Sequence, residues 1–170
     1  MIMAVPQAPY RLIERDGSFE IRQYDALVLA VSPEADLSGS TSFGRLFSFI
    51  SGNNQAKRKI SMTAPVLNSL DQPQQTMAFV MPSEFNAETT PQPLDASVQI
   101  REIPARRVAA ITFGGSVNQR LLARKRQELL FWLEKRQLAT RGPMELARYN
   151  PPFLPGFLKR NELLIDLKEG

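Results

Sequence analysis

The chain has 170 residues, 43% of them hydrophobic and 22% charged, with a formal net charge of +4. A single domain of this size buries roughly 70% of the surface that its unfolded chain would expose. Cysteine and histidine are both absent, which excludes disulfides, thiol nucleophiles, Ser-His-Asp triads and any metal site built on thiolate or imidazole.

The opening stretch, MIMAVPQAP, lacks the basic n-region and apolar run of a secretory leader. No segment approaches the ~18 apolar residues of a membrane span, so a soluble, cytoplasmic protein is expected. The bases fall in short groups: Lys57-Arg58-Lys59, Arg106-Arg107, Arg124-Lys125-Arg126, Lys135-Arg136 and Lys159-Arg160. No RNA-reading or helix-turn-helix pattern accompanies them, so they read as solvated surface and not as a nucleic-acid partner's footprint.

Residues 10–15 (YRLIER) and 19–31 (FEIRQYDALVLAV) read as strands around the hairpin turn Asp16-Gly17. Phe19, Ile21 and Leu27 to Val31 are their buried candidates. A first helix is expected from about Ser42 to Ile50, with Thr41 or Ser42 as N-cap. Phe43, Leu46, Phe47 and Ile50 recur on one of its faces, and Phe49 lies apart at roughly 100° from Ile50. Ser51-Gly52-Asn53-Asn54 tolerates positive φ and ends that helix.

Strands are then expected near 60–67 and 76–81, with Pro65 of the MTAPV segment at an edge or a bulge. Residues 82–96 form the longest irregular stretch. The second half repeats the plan: IREIPA at 100–105 resembles IRQYDA at 21–26, Val108 to Phe113 answers Leu27 to Val31, and a helix follows from about Val117 to Leu138. ARYNPPF at 147–153 stands where MTAPV stood, and Leu163-Leu164-Ile165 answers Phe79-Val80-Met81. The pattern implies an α+β domain of two internal repeats, about 10–81 and 97–167, related by a pseudo-twofold. Each repeat is too small to bury both faces of its sheet. The antiparallel strands are therefore expected to curl into a distorted β-barrel, with one helix per repeat packed outside.

On the second helix Leu121, Leu122, Leu129, Trp132 and Leu133 share an arc of roughly 120°. Lys125 projects into the middle of that arc. Two readings stay open for it: pairing with Glu128 while its stem snorkels over the apolar face, or meeting an anionic ligand group.

FEIRQY at 19–24, FISGNN at 49–54, KISMTAPV at 59–66, YNPPF at 149–153 and RNELLI at 160–165 together resemble the SOUL family of heme-binding proteins. They keep the family's order across about residues 9–168. The resemblance implies a single domain on that distorted barrel, and binding of heme or another tetrapyrrole in a shallow apolar groove beside the first helix. A porphyrin is a flat apolar disc with two carboxylates, so it needs an apolar wall and a few rim cations. Phe43, Leu46, Phe47 and Ile50 are candidates for the wall, with Met62 and Tyr149 beside them, and Arg45, Lys125 and Arg160 for the rim. Core packing is the alternative reading for the wall, and shaping of the strand end for Met62 and Pro65.

Some members of the family carry histidine within EIR-x-Y, where this chain has Gln23. The resemblance therefore implies a non-enzymatic buffer or carrier without a histidine axial ligand, in which heme or protoporphyrin is not required for folding. Tyr149 and Met62 are the weak candidates for a metal ligand. Two alternatives remain. One is a protein-interaction module on the same fold, with Phe49 at its contact face and a protein partner in place of the ligand. The other is a small-molecule effector-binding or hydrolase-like domain, which would need Glu20 or Glu162 beside Tyr24 or Tyr149.

Overall fold

Nine strands form one antiparallel sheet in the computed structural model of the protein, which describes residues 5–34, 40–150 and 155–169. In chain order the elements are β1 (Tyr10–Asp16), β2 (Phe19–Tyr24), β3 (Leu27–Pro33), α1 (Ser40–Ile50), β4 (Val66–Ser69), β5 (Thr76–Val80), β6 (Gln99–Ile103), β7 (Arg106–Phe113), α2 (Gln119–Lys135), β8 (Thr140–Arg148) and β9 (Asn161–Leu167). Across the sheet the order is β1-β2-β7-β9-β8-β4-β5-β3-β6. Outward from the central β8·β4 pair it runs β9, β7, β2 on one side and β5, β3, β6 on the other.

The expected barrel is corrected: β1 and β6 are free edges, so the sheet does not close. A second correction concerns residues 19–31, which split at Asp25-Ala26 into β2 and β3. β2 pairs with β1 and β7, whereas β3 pairs with β5 and β6. The exposed Asp25-Ala26 step sends the chain from one half of the sheet to the other. The strand expected near 60–67 is mostly not a strand. β4 starts only at Val66, after a cis Ala64–Pro65 bond, and Ala64 makes a lone bridge to Gln7.

Strand alternation sorts the core into three clusters. Under α2 lie Ile21, Ala109, Ile111, Phe113, Met144, Leu146, Leu163 and Ile165, which meet Leu122, Leu129, Trp132 and Leu133 of the helix. Asn118 caps α2 by accepting the Leu121 N–H at 2.8 Å. Trp132 stacks on Phe19 at 4.9 Å and donates its indole N–H to Asp16 at 2.9 Å, fixing the β1–β2 hairpin to the helix. Gly17 opens that hairpin turn with φ +60°, which a side chain would disfavour.

Under α1 lie Val28, Ala30, Met77 and Phe79, against Leu46, Phe49 and Ile50. The third cluster carries no helix. It joins Tyr24, Val108, Ala110, Ala147 and Leu164 from one half to Leu29, Val31, Leu67, Ala78 and Val80 from the other. The sheet therefore folds over its helix-free face and buries it against itself.

The end of α1 is set by one side chain. Gly52 has φ +122°, and the buried Asn54 donates to the Phe49 carbonyl at 3.0 Å and the Arg58 carbonyl at 2.8 Å while accepting the Arg58 N–H at 3.1 Å. Asn54→Ala leaves buried backbone groups unsatisfied, so a loss of about 1–3 kcal/mol is expected in urea unfolding with an unchanged slope. Asn53→Ala, at an exposed neighbour, should stay within about 0.5 kcal/mol of the parent.

Candidate functional site

α1 presents two apolar surfaces. Ser42, Leu46, Phe49 and Ile50 face the sheet and are buried. Phe43 and Phe47, one turn apart, face out: they are 37% and 51% exposed. Their rings stack at 6.0 Å and 13°, and Phe43 also meets Phe79 edge-on at 5.3 Å.

The proposed wall therefore divides, with Leu46 and Ile50 in the core and Phe43 and Phe47 outside. Phe49, expected on an exposed contact face, is 1% exposed and belongs to the core. The reason is angular: the stripe 42, 46, 49, 50 follows the 3.6-residue period as closely as 43, 46, 47, 50 does. Burial by the sheet decides between them.

The other candidates scatter. Arg45 is half-buried on α1, close enough to Asp95 to help hold its carboxyl low, after the hydrogen bonds from Ser97. Met62 packs against the α1 cluster. Lys125 pairs with Glu128 at 3.0 Å and lies 5.9 Å from the Phe113 ring centre. It sits on α2, which packs on β7 and β9, while α1 packs on β3 and β5.

Tyr149 and Arg160 join a buried polar cluster on the helix-free face, which sequence periodicity does not announce. Glu20, Arg22 and Tyr24 alternate along β2, and Glu162 enters from β9. Arg22 is fully buried and grips Glu162 with both terminal nitrogens, one at 2.7 Å. It also donates to Glu20 at 2.8 Å and to the Tyr24 hydroxyl at 3.1 Å, and it lies 4.2 Å from the centre of the Tyr10 ring. Tyr149 donates its hydroxyl to Glu162 at 2.7 Å, Thr112 at 2.9 Å, and Arg160, stacked on Tyr149, at 3.1 Å.

The acidic residues and tyrosines named for a hydrolase-like domain are thus adjacent, but each carboxylate is committed to a guanidinium. An open depression of about 600 Å³ lies beside them, lined by Tyr10, Arg15, Ser18, Glu20, Thr112 and Arg160.

Burial pushes the Glu162 carboxyl up, but hydrogen bonds and charge from Arg22, with Tyr149 and Arg160, outweigh it and hold the group at about 2. Burial and the adjoining Glu162 raise the Tyr149 phenol well above its ordinary value. A protonated phenol bonded to a carboxylate is a poor iron ligand. A carboxylate so depressed is likewise a weak general base. Among the described residues no cluster of three or more acidic side chains could hold a metal.

Because the folded value for Glu162 lies below its ordinary value of 4.5, its stabilising contribution is complete above pH 4.5 and is lost as pH falls toward 2. Glu162→Gln strands Arg22 as a buried, half-compensated charge. A loss on the order of 3–5 kcal/mol is expected, together with a flatter stability profile between pH 4.5 and 2 in acid titrations followed by circular dichroism.

Residues 5–166 match the family model described as SOUL heme-binding protein. Heme-binding protein 2 of Homo sapiens is 32% identical over 138 residues, a match that covers 75% of this chain and 65% of that protein, less than two thirds of its length. Among solved structures, the EcmrR C-terminal domain is similar with a TM-score of 0.68 at 9% identity, over 95% of this chain and 99% of that one. A hydrolase from Listeria innocua gives 0.64 at 9% identity, over 92% and 94%. SAV2435 bound to tetraphenylphosphonium gives 0.53 at 11%, over 88% and 93%. At these identities the structural likeness concerns the fold alone. The family match, by contrast, spans nearly the whole chain and takes in all five motifs from FEIRQY to RNELLI. This chain belongs to the SOUL heme-binding protein family.

Proposed function

We propose that this protein binds heme or another tetrapyrrole without catalysing a reaction, on the outer face of α1, as a cytoplasmic buffer or carrier. The observation that carries the reading is the stacked Phe43–Phe47 pair, two exposed parallel rings backed by Phe79. Such a pair offers a flat apolar platform of the kind that a macrocycle covers. Arg45 stands two positions from each ring, on the opposite side of the helix and near Asp95, so it also falls outside this version of the site. Met62 borders the cluster beneath. Leu46 and Ile50 support the platform from below, and Lys125, Tyr149 and Arg160 fall outside this version of the site.

With no imidazole in the chain and the Tyr149 phenol held by Glu162, binding rests on apolar contact and not on iron ligation. A non-enzymatic role is supported by the commitment of Glu20 and Glu162 to arginines. The strand order on either side of β8·β4 supports a single domain, residues 9–168, of two repeats that exchange one strand each: β2 pairs with β7, and β6 with β3.

Titration of hemin and of free-base protoporphyrin, followed in the Soret region, tests the proposal. Both are expected to bind saturably and with similar affinity, and Phe43→Ala/Phe47→Ala should weaken both roughly tenfold or more. Absence of a saturable change with either ligand would overturn the reading and favour a protein partner on the same platform. Wild-type affinity in the double variant would remove α1 as the site.

A further inference from the structure

The fold over the helix-free face is incomplete at the end away from Glu162. There the two halves leave a cleft of about 220 Å³. Its apolar lining comes from Leu29 and Val31 of β3, Leu67 of β4, Ala78 of β5 and Ile103 of β6, and the prolines Pro104 and Pro143 stand among its walls. The cleft holds the liquid volume of about seven waters, too little for a tetrapyrrole and enough for a small organic molecule.

Three guanidiniums and two carboxylates share this space. Arg106 is buried and bonds through Nη1 to Glu145 at 2.6 Å and to Asp166 at 3.1 Å, which leaves its Nε–H without a partner. Both carboxylates are thereby committed to a neighbour inside the protein. Arg101 and Arg141 are different: both are exposed, both line the cleft, and among the described residues neither pairs with a carboxylate.

Their placement follows from the strands. Arg101 and Ile103 alternate on β6, the free edge. In β8, the three residues between Arg141 and Glu145 stand against a single residue of β9, Ile165, and Gly142 within this bulge has φ +75°. Such a bulge bends its strand and re-aims the side chains beside it. Arg141, Pro143 and Glu145 all line the cleft as a result.

We propose that this cleft is a second binding site, for a compact apolar carboxylate whose body rests on Leu29, Val31, Leu67 and Ala78 while its anionic group meets Arg101 and Arg141. A guanidinium holds a carboxylate through two parallel hydrogen bonds. Beside an apolar wall that pairing is stronger than in open water. A cation meets the opposite situation, since the available carboxylates are held by Arg106 and two unpaired guanidiniums repel it.

Naphthoate is a suitable probe, with naphthamide and naphthylmethylammonium as its neutral and cationic counterparts, read by methyl chemical shifts of the full chain. Naphthoate is expected to bind saturably, with the largest shifts at Leu29, Val31, Leu67 and Ile103. Arg101→Ala/Arg141→Ala removes two exposed, unpaired side chains and should fold as the parent does while weakening naphthoate roughly tenfold or more. Phe43→Ala/Phe47→Ala should leave naphthoate binding unchanged, which separates this cleft from the α1 face. The proposal is overturned if naphthoate gives no saturable shift up to its solubility limit, or if the amide or ammonium binds as tightly. It is equally overturned if Arg101→Ala/Arg141→Ala binds like the parent, or if loss of the α1 rings abolishes binding.

Discussion

A nine-stranded sheet that is apolar on both faces but carries helices on only one is driven to bury the other against itself. That constraint governs this molecule. α1 and α2 cover two separate patches of one face, each with its own apolar cluster. The opposite face has no second layer, and its residues from both halves meet in a third cluster. Closure into a barrel would satisfy every strand edge. Here, among the described residues, the outer edges of β1 and β6 stay unpaired, and curvature brings the halves together.

Burying that face also buries charge. Glu20, Arg22, Glu162 and Arg106 lie on strands whose alternation points them inward, where isolated ions would be strongly destabilising. Their charges are therefore paired: Arg22 with Glu20 and Glu162, beside Tyr24, and Arg106 with Glu145 and Asp166, although its Nε–H has no partner. The Arg22 cluster links β2 to β9 across β7, with Tyr149 of the segment after β8 bonded into it. It ties this half of the sheet together at one end of the fold. Chemistry that would otherwise suggest a catalytic carboxylate is spent here on structure.

The two proposed sites lie on surfaces that this packing does not consume. The exposed rings of Phe43 and Phe47 on α1 are one, and the cleft bearing Arg101 and Arg141 is the other. They differ in shape and charge. A flat external platform suits a large planar ligand, whereas a small recess with unpaired guanidiniums suits a small anion.

Much of this was legible in the linear chain. The five motifs identify the family, the apolar arc of Leu121 to Leu133 predicts the buried side of α2, and Gly52-Asn53-Asn54 predicts the end of α1. These features are local: each depends on periodicity or on backbone preference within a few residues. What escaped the sequence is non-local. Residues 19–31 read as a single strand because no signal at Asp25-Ala26 outweighs the continuous apolar pattern, yet their two parts pair with opposite halves of the sheet. Phe43 and Phe49 are indistinguishable as helical phenylalanines until the sheet buries one and leaves the other in solvent. Arg22 and Glu162 are separated by 140 positions, and no local pattern joins them. The family, the helices and most strands can be read from the linear chain, because short-range sterics and side-chain period suffice for those. The open sheet, the pairing of the buried acidic residues with arginines, and the exposure of Phe43, Phe47, Arg101 and Arg141 emerge only in the folded chain, because burial is a property of the whole fold.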